Sequence, residues 1–231
     1  MNKTIYMKNF FCILLVFLQV GALSAQSLKF EAHAGGNLSR LTGGDKYRVY
    51  DSKTMPGVQI GGNAYYTFKN GITLSSGIDL IQTGGKYAAY SEFYNGKTPG
   101  SPLTEFKEIK ARELSLEIPL KAGYLFHLSK NIDLFPYIGC YARYSVASMS
   151  SSLTLADSPQ SVNWNCHKDY TNGSYALTGY DKFDFGYDVG VRLIVHQHYI
   201  FGLEYSKGLR KRSSQFNVKN NDIRLLVGYI F

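Results

Sequence analysis

The sequence predicts an all-β fold, an eight-stranded antiparallel up-and-down transmembrane β-barrel with short periplasmic turns and long extracellular loops. Three observations carry that expectation. Eight segments of about nine to twelve residues alternate apolar and polar side chains, the length a tilted strand needs to cross a hydrocarbon core. Glycine recurs on the polar parity of those segments, and aromatic residues gather at their ends. Of 231 residues 15% are aromatic, with Tyr 19 and Gly 23 against Pro 6, which suits strands and turns in a single domain.

The N-terminus has the layout of an export signal. Lys3 and Lys8 are basic, residues 10–20 are apolar, and Leu23-Ser24-Ala25 offers a small-residue cleavage site before Gln26. That apolar core is too short to span a bilayer as a helix, which needs about 20 residues. The expected division is a cleaved signal peptide over 1–25 and an outer-membrane barrel over 26–231, with Met7 an alternative start. Cys12 falls in the signal. Cys140 and Cys166 pass to a compartment where disulfides form, yet one is mid-strand and the other in a loop, so both are read as unpaired.

The strands follow in order. The first sets Leu28, Phe30, Ala32, Ala34 and Leu38 against Lys29, Glu31, His33 and Asn37. The second sets Val58, Ile60, Ala64, Tyr66 and Phe68 against Gln59, Asn63 and Thr67. In the third, Ile72, Leu74, Ile78 and Leu80 oppose Thr73, Ser75 and Asp79; in the fourth, Leu114 through Phe126 oppose Ser115, Glu117 and Lys121. The fifth, near 134–146, is ambiguous in phase, because Phe135, Tyr137 and Tyr141 compete with Ile138, Cys140 and Ala142. The sixth places Phe183, Phe185, Val189 and Leu193 opposite Asp184, Asp188 and Arg192. The seventh has Tyr199, Phe201, Leu203 and Tyr205 against Glu204, and the eighth Ile223, Leu225, Val227, Tyr229 and Phe231 against Arg224.

Alternation alone does not say which face points inward. Gly35, Gly61, Gly77, Gly123, Gly139, Gly186, Gly190, Gly202 and Gly228 all share the polar parity. A solvated face has no use for them, whereas a narrow lumen needs small residues beside large charged ones. Tyr66 with Phe68, Tyr124 with Phe126, Tyr199 with Phe201, and Tyr229 with Phe231 share one end of their strands, as an interfacial girdle does. Phe183, Phe185, Tyr144 and Tyr205 mark the other. Connections alternate between tight turns, at 69–71, 127–131 and 196–198, and long loops, at 39–57, 83–112, 147–182 and 207–219. Together these put lipid outside and charge inside.

The candidate chemistry follows from that polarity. Glu31, Asp79, Glu117, Lys121, Arg143, Asp184, Asp188, Arg192, Glu204 and Arg224 face the lumen, where an isolated charge costs several kcal/mol, so they are expected to pair into a plug. The whole chain carries +8. The four long loops contribute about +2, +2, −1 and +5, and the fourth holds Lys207, Arg210, Lys211, Arg212 and Lys219, a set suited to lipopolysaccharide phosphates. The third loop, with Trp164 and a run from Tyr170 to Tyr175, has the composition of an exposed recognition surface. His167 lies there with Asp157, Ser158, Ser161 and Asp169, the material for a hydrolase triad but without a frame to fix it. His196-x-His198 reads as a polar turn without a third metal ligand.

Five motifs resemble the PorT-like outer-membrane β-barrel family of Bacteroidetes-type bacteria: Leu116-Glu117-Ile118-Pro119-Leu120, Pro136-Tyr137-Ile138-Gly139, Phe183-Asp184-Phe185-Gly186 with Gly190, Tyr205-Ser206-Lys207-Gly208-Leu209, and Gly228-Tyr229-Ile230-Phe231. The resemblance implies an outer-membrane barrel, and for some relatives a part in protein secretion; it carries over no catalytic or ligand residue. The expectation is a non-enzymatic structural or surface-interaction protein without cofactor or metal. It is monomeric, in contact with outer-membrane lipid, lipopolysaccharide and a protein partner through its loops, and not with nucleic acid. An accessory of protein secretion and a hydrolase using His167 are the alternatives.

Overall fold

A period of two gives each segment one polar and one apolar face, and the sheet they build closes on itself. The computed structural model describes residues 27–43, 49–91, 104–155, 160–172, 175–215 and 217–231. The signal segment, Cys12, Asp157 and Ser158 lie outside the described residues. Eight strands form the wall: β1 (Ser27–Gly43), β2 (Met55–Thr67), β3 (Ile72–Ser91), β4 (Thr104–Tyr124), β5 (Ile132–Ser148), β6 (Phe183–Val195), β7 (Tyr199–Gly208) and β8 (Val218–Ile230). Each pairs antiparallel with the next, and β8 returns to β1, where Ala34 faces Val227 on one side and Ile60 of β2 on the other. Closure leaves no unpaired edge, the condition for a sheet to survive in lipid.

The apolar face is the outer one. Val58, Ile60, Ile78, Ile118, Leu120 and Leu225 are exposed on the wall, while Ser115, Glu117 and Asp188 are wholly buried within it. The fifth strand resolves to one phase: Ile138 and Cys140 point out, and Phe135, Tyr137 and Tyr141 point in. Glycines on β6 make room for those tyrosines. A Cβ added at Gly190 would lie 2.5 Å from the Tyr137 hydroxyl, and one at Gly186 2.6 Å from that of Tyr141. Ring contacts join the girdle at the tight-turn end, with Tyr66 4.7 Å from Phe68 and Tyr124 4.7 Å from Phe126. In the three-residue β6–β7 turn His196 and Gln197 have φ of 50° and 62°, both in the left-handed region, and the His198 amide donates to the Val195 carbonyl at 3.2 Å to close the turn.

The long connections carry sheet and core of their own, which departs from the exposed surface expected of the third loop. Strands β3 and β4 continue to Ser91 and from Thr104, so most of 83–112 is sheet. Val49–Lys53 pairs with β3, Ser152–Leu155 with β4, and Ser161–Asn163 with Ser152–Leu155 in turn. Tyr170–Asn172 and Tyr175–Leu177 form a small hairpin. Leu41, Tyr87, Phe106, Ile109, Leu153, Trp164, Cys166, Leu177, Tyr180 and Val218 bury one another in a cap over the outer end of the barrel. Trp164 is therefore core rather than an exposed recognition aromatic: its ring meets Tyr180 edge-on at 5.6 Å and its Nε1–H donates to the Lys168 carbonyl at 2.8 Å. The cause is solvent. Above the membrane the sheet needs an apolar interior, so the pattern inverts within a single strand: Phe106 and Ile109 of β4 point in, and farther down Leu116, Ile118 and Leu120 point out.

The phase of β5 is open to a direct check. Ile138→Arg should cost about 2–4 kcal/mol of stability, the penalty for a cation on the lipid face near mid-bilayer, and Ile138→Leu almost nothing. Urea unfolding of the protein in lipid vesicles measures both; equal stability of the two variants would place Ile138 away from lipid.

Candidate functional site

The ten residues expected in the lumen all lie inside the wall, each no more than 4% exposed. What organises them is that partners come from across the barrel and not only from adjacent strands. Arg224 of β8 donates through Nη1 to Glu117 Oε1 of β4 at 2.6 Å and to Glu204 Oε1 of β7 at 2.8 Å. Arg143 of β5 donates to Glu117 Oε2 through Nε at 2.8 Å and to Asp222 Oδ2 of β8 at 3.0 Å. Lys121 of β4 meets Glu204 of β7 at 2.5 Å, and Arg192 of β6 meets Glu31 of β1. Strand order places β4 and β8 on opposite sides of the wall, so the Glu117–Arg224 pair crosses the lumen. Each guanidinium supplies fixed, forked donors, which is why arginine and not lysine dominates these bridges.

Three of the expected residues are held differently. Asp79 faces His33 Nε2 at 3.1 Å, and the other ring nitrogen of His33 lies 2.8 Å from Glu31 Oε1, so an imidazole joins two carboxylates. Asp184 accepts from Asn220 Nδ2 at 2.7 Å and from the Tyr141 hydroxyl at 3.3 Å, without a cation. Asp188 is buried in the same layer but makes no ion pair among the described residues. The sequence reading missed Asp222 as a partner and the hydroxyls of Tyr137 and Tyr65. Tyr137 donates to Glu204 at 2.6 Å and Tyr65 donates to Glu31. Tyr137 was hidden by the unresolved phase of its strand.

The basic set of the fourth loop is divided by the fold. Arg210 and Lys211 are exposed at the rim, where the Arg210 guanidinium lies 5.7 Å from the Phe183 ring and 3.0 Å from Asp181. Lys207 and Lys219 belong to β7 and β8 and are half-buried. Arg212 is 1% exposed and donates through Nη2 to both oxygens of Glu113, at 2.7 and 2.6 Å, so it cannot meet lipopolysaccharide. Once the cap folds over the mouth, Glu113 is buried and Arg212 supplies the counter-charge it needs.

His167 is likewise drawn into the fold. Its Nε2 lies 2.7 Å from Ser145 Oγ and 3.5 Å from Glu113 Oε2, and its Nδ1 lies 3.1 Å from the Tyr180 carbonyl. Asp169 is used elsewhere, accepting from the Gly179 amide at 2.8 Å, and Ser161 pairs with Thr154. The hydrolase arrangement needs an acid on the nitrogen remote from the serine and a serine open to substrate. Here the remote nitrogen faces a carbonyl and Ser145 is wholly buried. Neither Cys140 nor Cys166 is in a disulfide, and burial pushes the Cys166 thiol up, with the nearby Glu113 charge adding to it. His198 is held by its Nδ1 contact of 2.9 Å to the Ile230 carbonyl and stacks on Tyr229, as a turn residue rather than a ligand.

A lumen bridged in this way predicts unequal costs. Glu117→Ala takes the shared counter-charge from two buried guanidinium groups, leaving Arg143 with Asp222 and Arg224 with Glu204, and should lose about 3 kcal/mol, whereas Arg210→Ala at the exposed rim should lose less than about 1 kcal/mol. Equilibrium unfolding in vesicles reads the difference, and equal losses would contradict the assigned burial.

The family model for the outer membrane protein beta-barrel domain matches residues 10–231. Among solved structures, Ail, the attachment invasion locus protein of Yersinia pestis, crystallised with the heparin analogue sucrose octasulfate, is 16% identical over 88% of this chain and 99% of its own, with a TM-score of 0.40. Neisserial surface protein A is 16% identical over 88% and 99%, with a TM-score of 0.42. OprG from Pseudomonas aeruginosa is 10% identical over 90% and 97%, with a TM-score of 0.43. No curated protein is significantly similar in sequence. With nearly its whole length matched, the chain belongs to the outer membrane protein β-barrel domain family, whose fold it shares.

Proposed function

We propose that this protein is a non-conducting, non-enzymatic anchor in the outer membrane, whose rigid wall holds a folded cap and a basic rim against the lipopolysaccharide layer. The single observation that carries the reading is the set of ion pairs crossing the lumen, above all Glu117 with Arg224. Side chains that bond from one wall to the opposite one fill an eight-stranded barrel, which is only wide enough for side chains in any case. The activity then belongs to the outer surface. Arg210 and Lys211 sit at the level of Phe183 and Phe185, the outer aromatic girdle, where lipid phosphates lie. The protein is a monomer in this reading, delivered by a signal peptide cleaved after Ala25. The motif resemblance supports a second reading, an accessory of protein secretion; normal cargo secretion in a strain lacking the gene would remove it.

Two measurements test the leading reading. Purified protein in planar bilayers should give no unitary conductance steps, and regular steps from the wild type would overturn the plug. Lipopolysaccharide titrated into detergent-solubilised protein should bind about tenfold or more weakly to the Arg210→Ala, Lys211→Ala double variant, at about 1 kcal/mol per cation. The difference should shrink in high salt and with dephosphorylated lipopolysaccharide. Unchanged affinity would remove these two residues from the contact.

A further inference from the structure

We propose that Glu113, Cys166 and His167 form a site for one transition-metal ion, zinc by ligand chemistry, which staples the cap to the barrel wall. The three residues come from two separate parts of the chain. Glu113 stands on β4, while Cys166 and His167 belong to the cap between β5 and β6. Their ligand atoms all lie within 4.8 Å of one another, and Nε2 of His167 is 3.5 Å from Oε2 of Glu113.

The surroundings are those of a prepared ligand set. The Tyr180 carbonyl, 3.1 Å from His167 Nδ1, can only accept, so the ring proton sits on Nδ1 and Nε2 keeps its lone pair. That is how metal-binding imidazoles are commonly oriented. Arg212 fixes Glu113 through both oxygens, as outer groups hold ligating carboxylates. The Cys166 amide donates to Ser148 Oγ at 3.1 Å, which anchors the thiol's backbone. Ser145 Oγ, 2.7 Å from Nε2, hydrogen-bonds the lone pair that a metal would take in its place. One sulfur, one imidazole nitrogen and one carboxylate oxygen suit tetrahedral zinc, whereas calcium and magnesium require oxygen donors throughout. Binding exchanges protons simply: the Cys166 S–H bond breaks, the sulfur–metal bond forms from the electron pair left behind, and the proton passes to solvent. Glutamate and neutral histidine join without proton change.

The test uses the mature protein in detergent with Cys140→Ser, so that Cys166 is its remaining thiol. Added Co2+ should bind one ion per chain and give a thiolate-to-cobalt charge-transfer band, which Zn2+ then displaces. Cys166→Ser should abolish the band, and His167→Gln should weaken binding by more than about 100-fold, beyond what loss of an outer-shell partner costs. Absence of the band, or its persistence in Cys166→Ser, overturns the proposal. Should a ligand variant not fold, as its gel mobility on heating will tell, maleimide labelling of the Cys140→Ser protein decides alone. At Zn2+ about 100 times its dissociation constant, opening of the cap, and with it labelling of Cys166, should slow about 100-fold; an unchanged rate overturns the site.

Discussion

An ionised group inside a closed, narrow lumen is costly unless a counter-charge reaches it, and for Glu117, Lys121 and Arg192 a counter-charge comes from across the barrel. Glu117 is the hub, receiving Arg143 from the adjacent strand and Arg224 from the opposite one. Desolvation offsets much of the attraction in such pairs, so their presence is a poor argument for net stability. Their consequence is register. Sliding any of these strands by one residue would turn Arg143, Arg224 or Glu117 into hydrocarbon and bring Ala142, Leu225 or Ile118 inside, an exchange that loses on both faces. Some glycines are the geometric complement: Gly186 and Gly190 lie against the Tyr141 and Tyr137 rings, and Gly61 against the Asp79 carboxylate.

The second organising fact is the reversal of polarity along the axis. Within the membrane the barrel is apolar outside and charged inside; above it the same sheet carries Leu41, Tyr87, Phe106 and Ile109 inside and lysines such as Lys107 outside. The change falls near Arg112 and Glu113 on β4. A carboxylate at that boundary has neither bulk water nor the lumen network around it. Arg212 and His167 gather about Glu113 for that reason, with Ser145 bonded to His167, and the junction becomes a place outside the lumen where charged groups from cap and wall are buried together.

This reversal also explains what the sequence discloses and what it hides. Parity is legible wherever lipid constrains one face, since no polar residue can occupy Val58, Ile60 or Ile118 cheaply, and the lumenal set from Glu31 to Arg224 follows by complement. Strand β5 was ambiguous because aromatic residues serve both faces: Phe135, Tyr137 and Tyr141 line the lumen as rings with hydroxyls, which a hydrophobic pattern cannot tell from a lipid-facing girdle. The loops misled for a different reason. Above the membrane the apolar positions are inward and widely spaced, with bulges at 87–89 and 106–108 that break the period of two, so sheet and core there resemble irregular chain. Arg212 and His167 could not be placed from sequence, since their partners Glu113 and Ser145 lie 99 and 22 residues away.

The same constraint determines where recognition can reside. Glu117, Glu204 and Arg224 are tied to partners on two or more strands, so replacing one weakens the pairing of several buried charges, and this part of the lumen changes only by coordinated substitution. Cap residues such as Trp164 and Tyr180 are locked by mutual burial. The rim is under neither restriction. Arg210 is held only by an exposed carboxylate and the face of Phe183, and Lys168, Lys182 and Lys211 project into solvent. Side chains that can be exchanged without disturbing the fold are therefore those of the rim, where the proposed contact with lipopolysaccharide would lie, while the bridged lumen keeps its geometry fixed.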